Sequence, residues 1–307
     1  MRIASIDIGT NTFRMLVSEI KNTELKKIYI DRVVTRLGGG FSKTERLISD
    51  EAIDRALAVL QRFAKVLNKY RVERVRAVAT SVVRESMNGD EFVKRVKRET
   101  GIAIELISGE KEAELTVKGV LKSVSPASNI NVVFDVGGGS TEYAYVDQGV
   151  IRSLSSTSLG VVHLAENFLK DDIPSELDIR AISQVVENVL SRELPWTSRL
   201  SSERLSLIGT AGTPTTLAAV VLGLDEYDPN LVNGFVLKRD AVTEIFQHII
   251  KIPKEKRLEI SGIEKGREDV IIPGALILLK TMERFSKNEI LVSDGGLLEG
   301  VAYSLLP

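Results

Sequence analysis

Apolar residues at the start of the chain come in short bursts that glycine interrupts. Residues 2–7 and 12–20 read as two strands joined by Ile8-Gly9-Thr10-Asn11. A third strand over residues 26–36 runs into Leu37-Gly38-Gly39-Gly40. From Ser49 the period changes. Ile53, Leu57, Leu60, Ala64 and Leu67 share one helical face, behind Ser49 as N-cap and Asp50 and Glu51 in the first turn. Residues 74–80 then read as a strand, Asn88 opens a helix that stops at Thr100-Gly101, residues 102–107 read as a strand, and a helix follows over residues 110–123. Three strands followed by alternating helices and strands describe an α/β lobe.

After Ser125-Pro126-Ala127-Ser128-Asn129, a linker candidate, the pattern restarts. Residues 131–135, 141–147 and 150–156 read as strands, and residues 161–169 and 176–194 as helices. A short strand at 205–208 enters Gly209-Thr210-Ala211-Gly212-Thr213 and a helix. A helix over 269–285, a strand at 289–292, the turn Ser293-Asp294-Gly295-Gly296 and a last helix complete the chain. Asp7-Ile8-Gly9-Thr10-Asn11 thus has a counterpart 128 positions later (135 minus 7) in Asp135-Val136-Gly137-Gly138-Gly139-Ser140. Each closes the first strand of its half and opens the second, which points to a duplicated lobe. The expected boundaries are 1–124 for the first lobe, 129–296 for the second, and 297–307 for a C-terminal helix packed back on the first.

Composition narrows the chemistry. The chain has 307 residues, 43% of them hydrophobic, and a net charge of −1. It therefore offers no global attraction to DNA or anionic membrane, and a polyanion must be held by local basic groups and amides. It has no cysteine and only two histidines, His163 and His248, which excludes thiolate chemistry and disfavours a zinc site. No apolar run reaches membrane-spanning length and no cleavable leader precedes the first strand, so the expected location is the cytoplasm.

The glycine turns carry the candidate chemistry. Glycine allows close backbone approach, and successive N–H groups can form an anion-binding nest. A carboxylate at the strand end cannot hold phosphate itself but can hold a cation that neutralises phosphate oxygens. Asp7 and Asp135 take that role in the expectation. Gly209, Thr210, Gly212 and Thr213 lie before a helix N-terminus, a further anion-binding candidate. Arg14, Arg36 and Arg84 stand in or at the ends of strands, and arginine grips phosphate bidentately. Glu110, Glu112 and Glu114 crowd the first turn of one helix, where the macrodipole favours negative charge, and one of them could polarise a water.

Read together, these segments resemble the exopolyphosphatase / guanosine pentaphosphate phosphohydrolase family. The residues that carry the resemblance are Asp7 to Arg14, Ala79-Thr80-Ser81-Val82-Val83-Arg84, Ile107 to Ala113, and Asp135 to Glu142. Leu159-Gly160, Gly209 to Thr213, Arg267-Glu268-Asp269 and Ser293 to Gly296 continue it in order, so it covers essentially the whole chain. The resemblance implies two actin-like, ribonuclease H-like α/β lobes of the acetate and sugar kinase, heat-shock chaperone and actin superfamily, with a cleft between them. It implies release of terminal orthophosphate from inorganic polyphosphate, and from guanosine pentaphosphate, with Mg²⁺ as cofactor and a homodimer as assembly. In its terms Glu112 activates the attacking water and Arg84 stabilises charge on the transferred group. Asp135 and Glu142 place the metal, with Asp7 as a third metal candidate. Gly9, Thr10, Asn11 and Thr12, with Gly137, Gly138, Gly139, Ser140 and Thr141, bind phosphate.

The chain departs from the family pattern at a few places. Thr10 and Thr12 stand where serine is commoner, and Lys111 replaces a frequent second glutamate, which leaves Glu112 as the matching base. Leu298 stands where arginine is frequent and receives no role. Longer relatives continue into a further helical module, which bears on processive grip of long polyphosphate. Two other readings remain beside hydrolysis, a small-molecule kinase of the same superfamily and a nucleotide-binding regulator or filament. Phosphate release without an acceptor separates the first, and nucleotide-driven assembly without turnover marks the second. The order of preference among polyphosphate, guanosine pentaphosphate and nucleoside triphosphates is left open.

Overall fold

The computed structural model describes residues 1–21, 24–41, 46–200 and 205–306. They divide into two compact units, residues 1–119 with 296–307, and residues 120–295.

In the first unit β1 (Arg2–Ile8), β2 (Thr12–Lys21) and β3 (Glu24–Val34) form an antiparallel ribbon. The remaining elements are α1 (Asp50–Lys69), β4 (Arg74–Ala79), α2 (Ser81–Glu85), α3 (Gly89–Thr100), β5 (Ile104–Leu106) and α4 (Gly109–Ser123). β4 and β5 add in parallel to the free side of β1, and the sheet order is β3-β2-β1-β4-β5. The Ser49 hydroxyl accepts the Ala52 N–H and starts α1, and Gly101, with φ 76°, ends α3. Strand alternation divides the side chains between two faces. Ile6, Ile8, Phe13 and Met15 enter one core with the apolar face of α1, while Ile3 and Leu16 face the other way. Asp7 and Arg14 are directly opposite each other across β1 and β2, in register with Ser5 and Leu16, and so lie on the Ile3–Leu16 face.

Two expectations needed correction here. The third strand stops at Val34 rather than reaching Arg36. The Thr35 and Arg36 N–H groups both bond the Asn11 carbonyl at 2.9 Å, and Arg36 turns to φ 50°. A short helix, α2, also follows β4 without having been expected, because five residues do not display a helical period.

The second unit contains β6 (Ile130–Val136), β7 (Thr141–Asp147), β8 (Val150–Thr157), α5 (Val161–Phe168), α6 (Glu176–Glu193), β9 (Leu205–Thr210) and α7 (Gly212–Leu222). It continues with α8 (Pro229–Val232), β10 (Val236–Lys238), α9 (Arg239–Ile249), α10 (Ile271–Arg284) and β11 (Glu289–Val292). Its sheet order is β10-β11-β9-β6-β7-β8. Helix α10 is buried along most of its length and forms the middle of the core with α5, α6 and the sheet. α8, β10 and α9 lie in a stretch to which the sequence pattern assigned no element, although Asp228 caps α8 and Pro229 opens it.

The expected pseudo-repeat is present in three dimensions. β1, its turn and β2 match β6, its turn and β7 at the constant offset seen in the sequence. The Gly9 N–H bonds the Thr12 carbonyl at 3.2 Å, and the Gly137 N–H bonds the Ser140 carbonyl at 2.9 Å. A Cβ at Gly9 would stand 2.9 Å from Thr12 O, and one at Gly137 2.8 Å from Ser140 O, so both turns exclude a side chain. Asp7 opposes Arg14 as Asp135 opposes Glu142. Both units are thus α/β lobes, each built on a mixed sheet of three antiparallel strands extended by parallel ones.

The chain ends with α11 (Leu297–Tyr303) in the first unit. It packs on the Ile3–Leu16 face, where Leu298 is fully buried with Ala302, so the position left without a role is a core position. Against α4 the two backbones meet at glycines. A Cβ at Gly119 would lie 1.9 Å from Gly296 O, and one at Gly300 1.8 Å from Leu115 O. Among the described residues no helix is long and apolar enough to cross a membrane.

Candidate active site

In the first unit α4 carries the acid/base candidates. The Ser108 hydroxyl oxygen accepts the Lys111 N–H at 3.2 Å and its carbonyl accepts the Glu112 N–H at 2.9 Å, which starts the helix. The three glutamates then have different surroundings. Glu114 is exposed and paired with Lys111 at 2.9 Å. Glu110 is exposed, and its own backbone N–H and the Ser108 hydroxyl hold its carboxyl below the ordinary range, against a small opposing effect of burial and with help from Arg84. Glu112 alone of the three is buried, with 7% of its surface exposed. It lies on one stripe of α4 with Leu115 and Gly119. Arg84, in α2, donates from Nη1 to the Ile107 carbonyl at 2.7 Å, and the same nitrogen is 3.6 Å from Glu112 Oε2. The structure therefore brings Glu112 and Arg84 together.

The β1–β2 turn is packed into place by polar contacts. Thr10 Oγ1 is 3.0 Å from Ser81 Oγ at the start of α2. The Thr10 carbonyl accepts the Gly38 N–H at 2.9 Å, and a Cβ at Gly38 would collide with Thr10 Cγ2 at 2.3 Å. Gly38 thus lets the chain after β3 pass close against this turn. Thr12 Oγ1 is buried and makes no hydrogen bond among the described residues, so a hydroxyl remains available there. Arg36 stands beside the turn through its N–H to Asn11, and Arg55 bonds the Thr35 and Arg36 carbonyls from α1. Arg14, two positions beyond Thr12 on β2, stands 3.9 Å from Glu299 Oε2 of α11.

In the second unit Asp135 and Glu142 are direct cross-strand partners and so share a face of the sheet, with Thr210 beside Asp135 on β9. Both carboxylates are buried, at 9% and 2% exposure, and Ser156 donates to Glu142 Oε1 at 2.7 Å. Sequence reasoning missed Ser156, a small polar residue in an alternating strand with nothing to distinguish it. The loop from Gly137 to Thr141 is supported from below. Val161 and Val162 at the start of α5 donate to the Gly137 and Gly138 carbonyls at 3.1 and 2.9 Å, and Thr141 Oγ1 donates to the Leu159 carbonyl at 2.6 Å. Gly160 lies so close beneath that its Cβ would meet the backbone of Gly138 and Gly139 within 2.5 Å.

The Gly209 to Thr213 segment also takes a special conformation. Ala211 has φ 70° and ψ −166°, a region that costs a non-glycine residue about 1–3 kcal/mol and is found where a ligand-binding loop is held by its surroundings. Thr210 Oγ1 donates to the Gly295 carbonyl at 2.9 Å, which joins this turn to the Ser293–Gly296 turn. The Arg267 guanidinium rests against Gly212, where a Cβ would be 2.2 Å from Nη1. Asp294 accepts from the Tyr227 hydroxyl at 2.5 Å.

Among the described residues no three acidic or histidine side chains gather into a metal-binding cluster. The donor set still suits Mg²⁺, which keeps several waters and needs only one or two protein carboxylates besides phosphate oxygens. Asp135 and Glu142, buried side by side, form such a pair.

The Ppx/GppA phosphatase family model matches residues 16–307. The chain belongs to this family. Among proteins similar to this Ppx/GppA chain, exopolyphosphatase 2 of Mycobacterium tuberculosis is 32% identical over 99% of this chain and 98% of its own length. The bifunctional 3-dehydroquinate synthase/phosphatase of Fusobacterium nucleatum is 36% identical over 97% of this chain, which spans only 46% of that protein. The solved structure of the Aquifex aeolicus PPX-GPPA enzyme is 36% identical, covers 99% of each chain and superposes with a TM-score of 0.82.

Proposed function

We propose that this chain is a phosphoanhydride hydrolase that releases terminal orthophosphate from inorganic polyphosphate, and from guanosine pentaphosphate by the same chemistry. The observation that carries the reading is the burial of Glu112 beside Arg84, while Glu110 and Glu114 stay exposed. A carboxylate shielded from bulk water and fixed in the first turn of a helix can hold one water and accept its proton. Arg84 brings a positive charge within 3.6 Å of that carboxylate, where it can meet the charge that develops on the transferred phosphoryl group. In this reading Gly9, Thr10, Asn11 and Thr12, with Arg14 and Arg36, bind phosphate in the first unit. Gly137, Gly138, Gly139, Ser140 and Thr141, with Gly209, Thr210, Gly212 and Thr213, do so in the second. Mg²⁺, held by Asp135 and Glu142 with Asp7 as a further candidate, would supply charge neutralisation of phosphate oxygens. A cytoplasmic homodimer is the proposed setting.

The direct experiment is release of phosphate from long-chain polyphosphate and from guanosine pentaphosphate, side by side, without any acceptor. Turnover that requires an acceptor alcohol or acid would replace hydrolysis with the kinase reading. Chelation of divalent cations should abolish turnover, and Asp135→Asn should raise the Mg²⁺ concentration needed for half-maximal rate. Full activity in excess chelator removes the metal from the reaction. Arg84→Ala should lower kcat by about 10²–10³-fold, the scale of losing one preorganised charge stabiliser, with a smaller change in KM. An unchanged kcat with a raised KM would make Arg84 a ground-state contact only.

A further inference from the structure

Glu299 is a buried carboxylate that neither the sequence motifs nor the proposed reaction uses. Its side chain is 3% exposed, and three groups from three elements converge on it. The Gly296 N–H donates to Oε2 at 3.0 Å and starts α11. Lys27, reaching from β3, donates to Oε1 at 2.9 Å. Arg14, from β2, stands 3.9 Å from Oε2. Burial pushes the Glu299 carboxyl up, but Arg14, Lys27 and the Gly296 N–H outweigh it and leave it below the ordinary range, so it is ionised at neutral pH.

The three contacts differ in kind. Lys27 and Gly296 meet the carboxylate with hydrogen bonds, which is enough to cap α11 and tie it to the sheet. The Arg14 contact is too long for a hydrogen bond. At this distance the contact is a charge attraction between the two side chains. Arg14 also lies directly opposite Asp7 on the sheet face that α11 covers, at the strand end where the Gly9 turn begins. We propose that Glu299 is a positioning residue, whose charge holds the Arg14 guanidinium in the pose in which it binds phosphate. The inference rests on the reading of Arg14 as a phosphate ligand, and it gives the C-terminal helix a part in the site beyond covering the sheet.

A double-mutant cycle tests it on the full chain, with Arg14→Ala, Glu299→Gln and the double variant. Each is measured for kcat and KM on polyphosphate, for the Kd of tripolyphosphate, and for Tm. If Glu299 acts through Arg14, each single substitution weakens kcat/KM and tripolyphosphate binding by about tenfold, and the double variant is no worse than Arg14→Ala. Lys27→Met removes the other cation from the same carboxylate and should lower Tm while KM and Kd stay unchanged. Glu299→Asp keeps the charge and should bind tripolyphosphate better than Glu299→Gln, and it replaces Glu299→Gln in the cycle should that variant not fold. Effects that simply add, or a Glu299→Gln variant altered in Tm alone, would overturn the proposal. Absence of turnover in the unmodified protein would remove the hydrolase reading, and coupling in the tripolyphosphate Kd would then decide this one. Conversely, an Arg14→Ala variant with normal binding and rate sinks the Glu299 role and leaves the Glu112 mechanism standing.

Discussion

Glu112→Gln should lower kcat for phosphate release by about 10²–10⁴-fold, the usual worth of general-base help, while KM and the fold are preserved. Glutamine keeps the shape of a side chain that is 7% exposed and removes its basicity. The substitution also leaves Arg84 bonded to the Ile107 carbonyl, so the arginine loses a charge partner but not its anchor. Glu110→Gln is the matching control. Glu110 is exposed and interacts with its own helix terminus, so its loss should cost at most about 1 kcal/mol of stability and leave kcat near the unmodified value. Steady-state kinetics on the two variants, with thermal melts alongside, separate the roles. Swapped effects would move the base to Glu110, and normal rates in both would end the water-activation mechanism.

Gly300→Ala should be the most damaging substitution outside the polar site. The added methyl would stand 1.8 Å from the Leu115 carbonyl oxygen and 2.6 Å from its carbon, and backbone of a helix cannot rotate aside as a side chain can. Overpacking of this kind costs about 1–3 kcal/mol, and a backbone neighbour puts the cost at the upper end, with a Tm loss of roughly 3–5 °C for a chain of this size. The substitution should also reduce kcat at temperatures where the protein remains folded, because the collision is relieved by separating α11 from α4, and Glu112 is one turn from Leu115. Gly119→Ala tests the same crossing from the other helix, where the new Cβ would be 1.9 Å from Gly296 O. A Gly300→Ala protein with unchanged melting and unchanged kcat would show that the helices can separate without cost to the base.

Much of the fold was legible because its signals are local. Ser49 caps α1 and Gly101 ends α3 as their chemistry requires, and the first two strands of each ribbon are short apolar runs joined by a glycine turn. The repeated turn was legible for the same reason. Gly9 and Gly137 are each demanded by a carbonyl three residues ahead, a constraint written within four positions of the chain. Elements too short to show a period were not legible. α2 has five residues and β10 three, and their positions come from packing. The course of Arg36 was misread because its left-handed turn is imposed by the Asn11 carbonyl, more than twenty positions away.

For the site, the sequence by itself determined which groups are present: two Asp-glycine turns, a trio of glutamates at a helix start, and arginines near strand ends. It also determined the register that sets Asp135 against Glu142, since the Gly137 turn leaves one pairing for the strands on either side. The resemblance singled out Glu112, but only the tertiary structure decided which of Glu110, Glu112 and Glu114 is buried. That choice depends on what α4 packs against, and its closest packing is with Gly300, contributed from the far end of the chain. Nor could the sequence pair Arg14 with Glu299, because the contact depends on α11 lying across the sheet. Burial and charge pairing are sums over neighbours distant in sequence, whereas turns and caps are set by neighbours a few residues away.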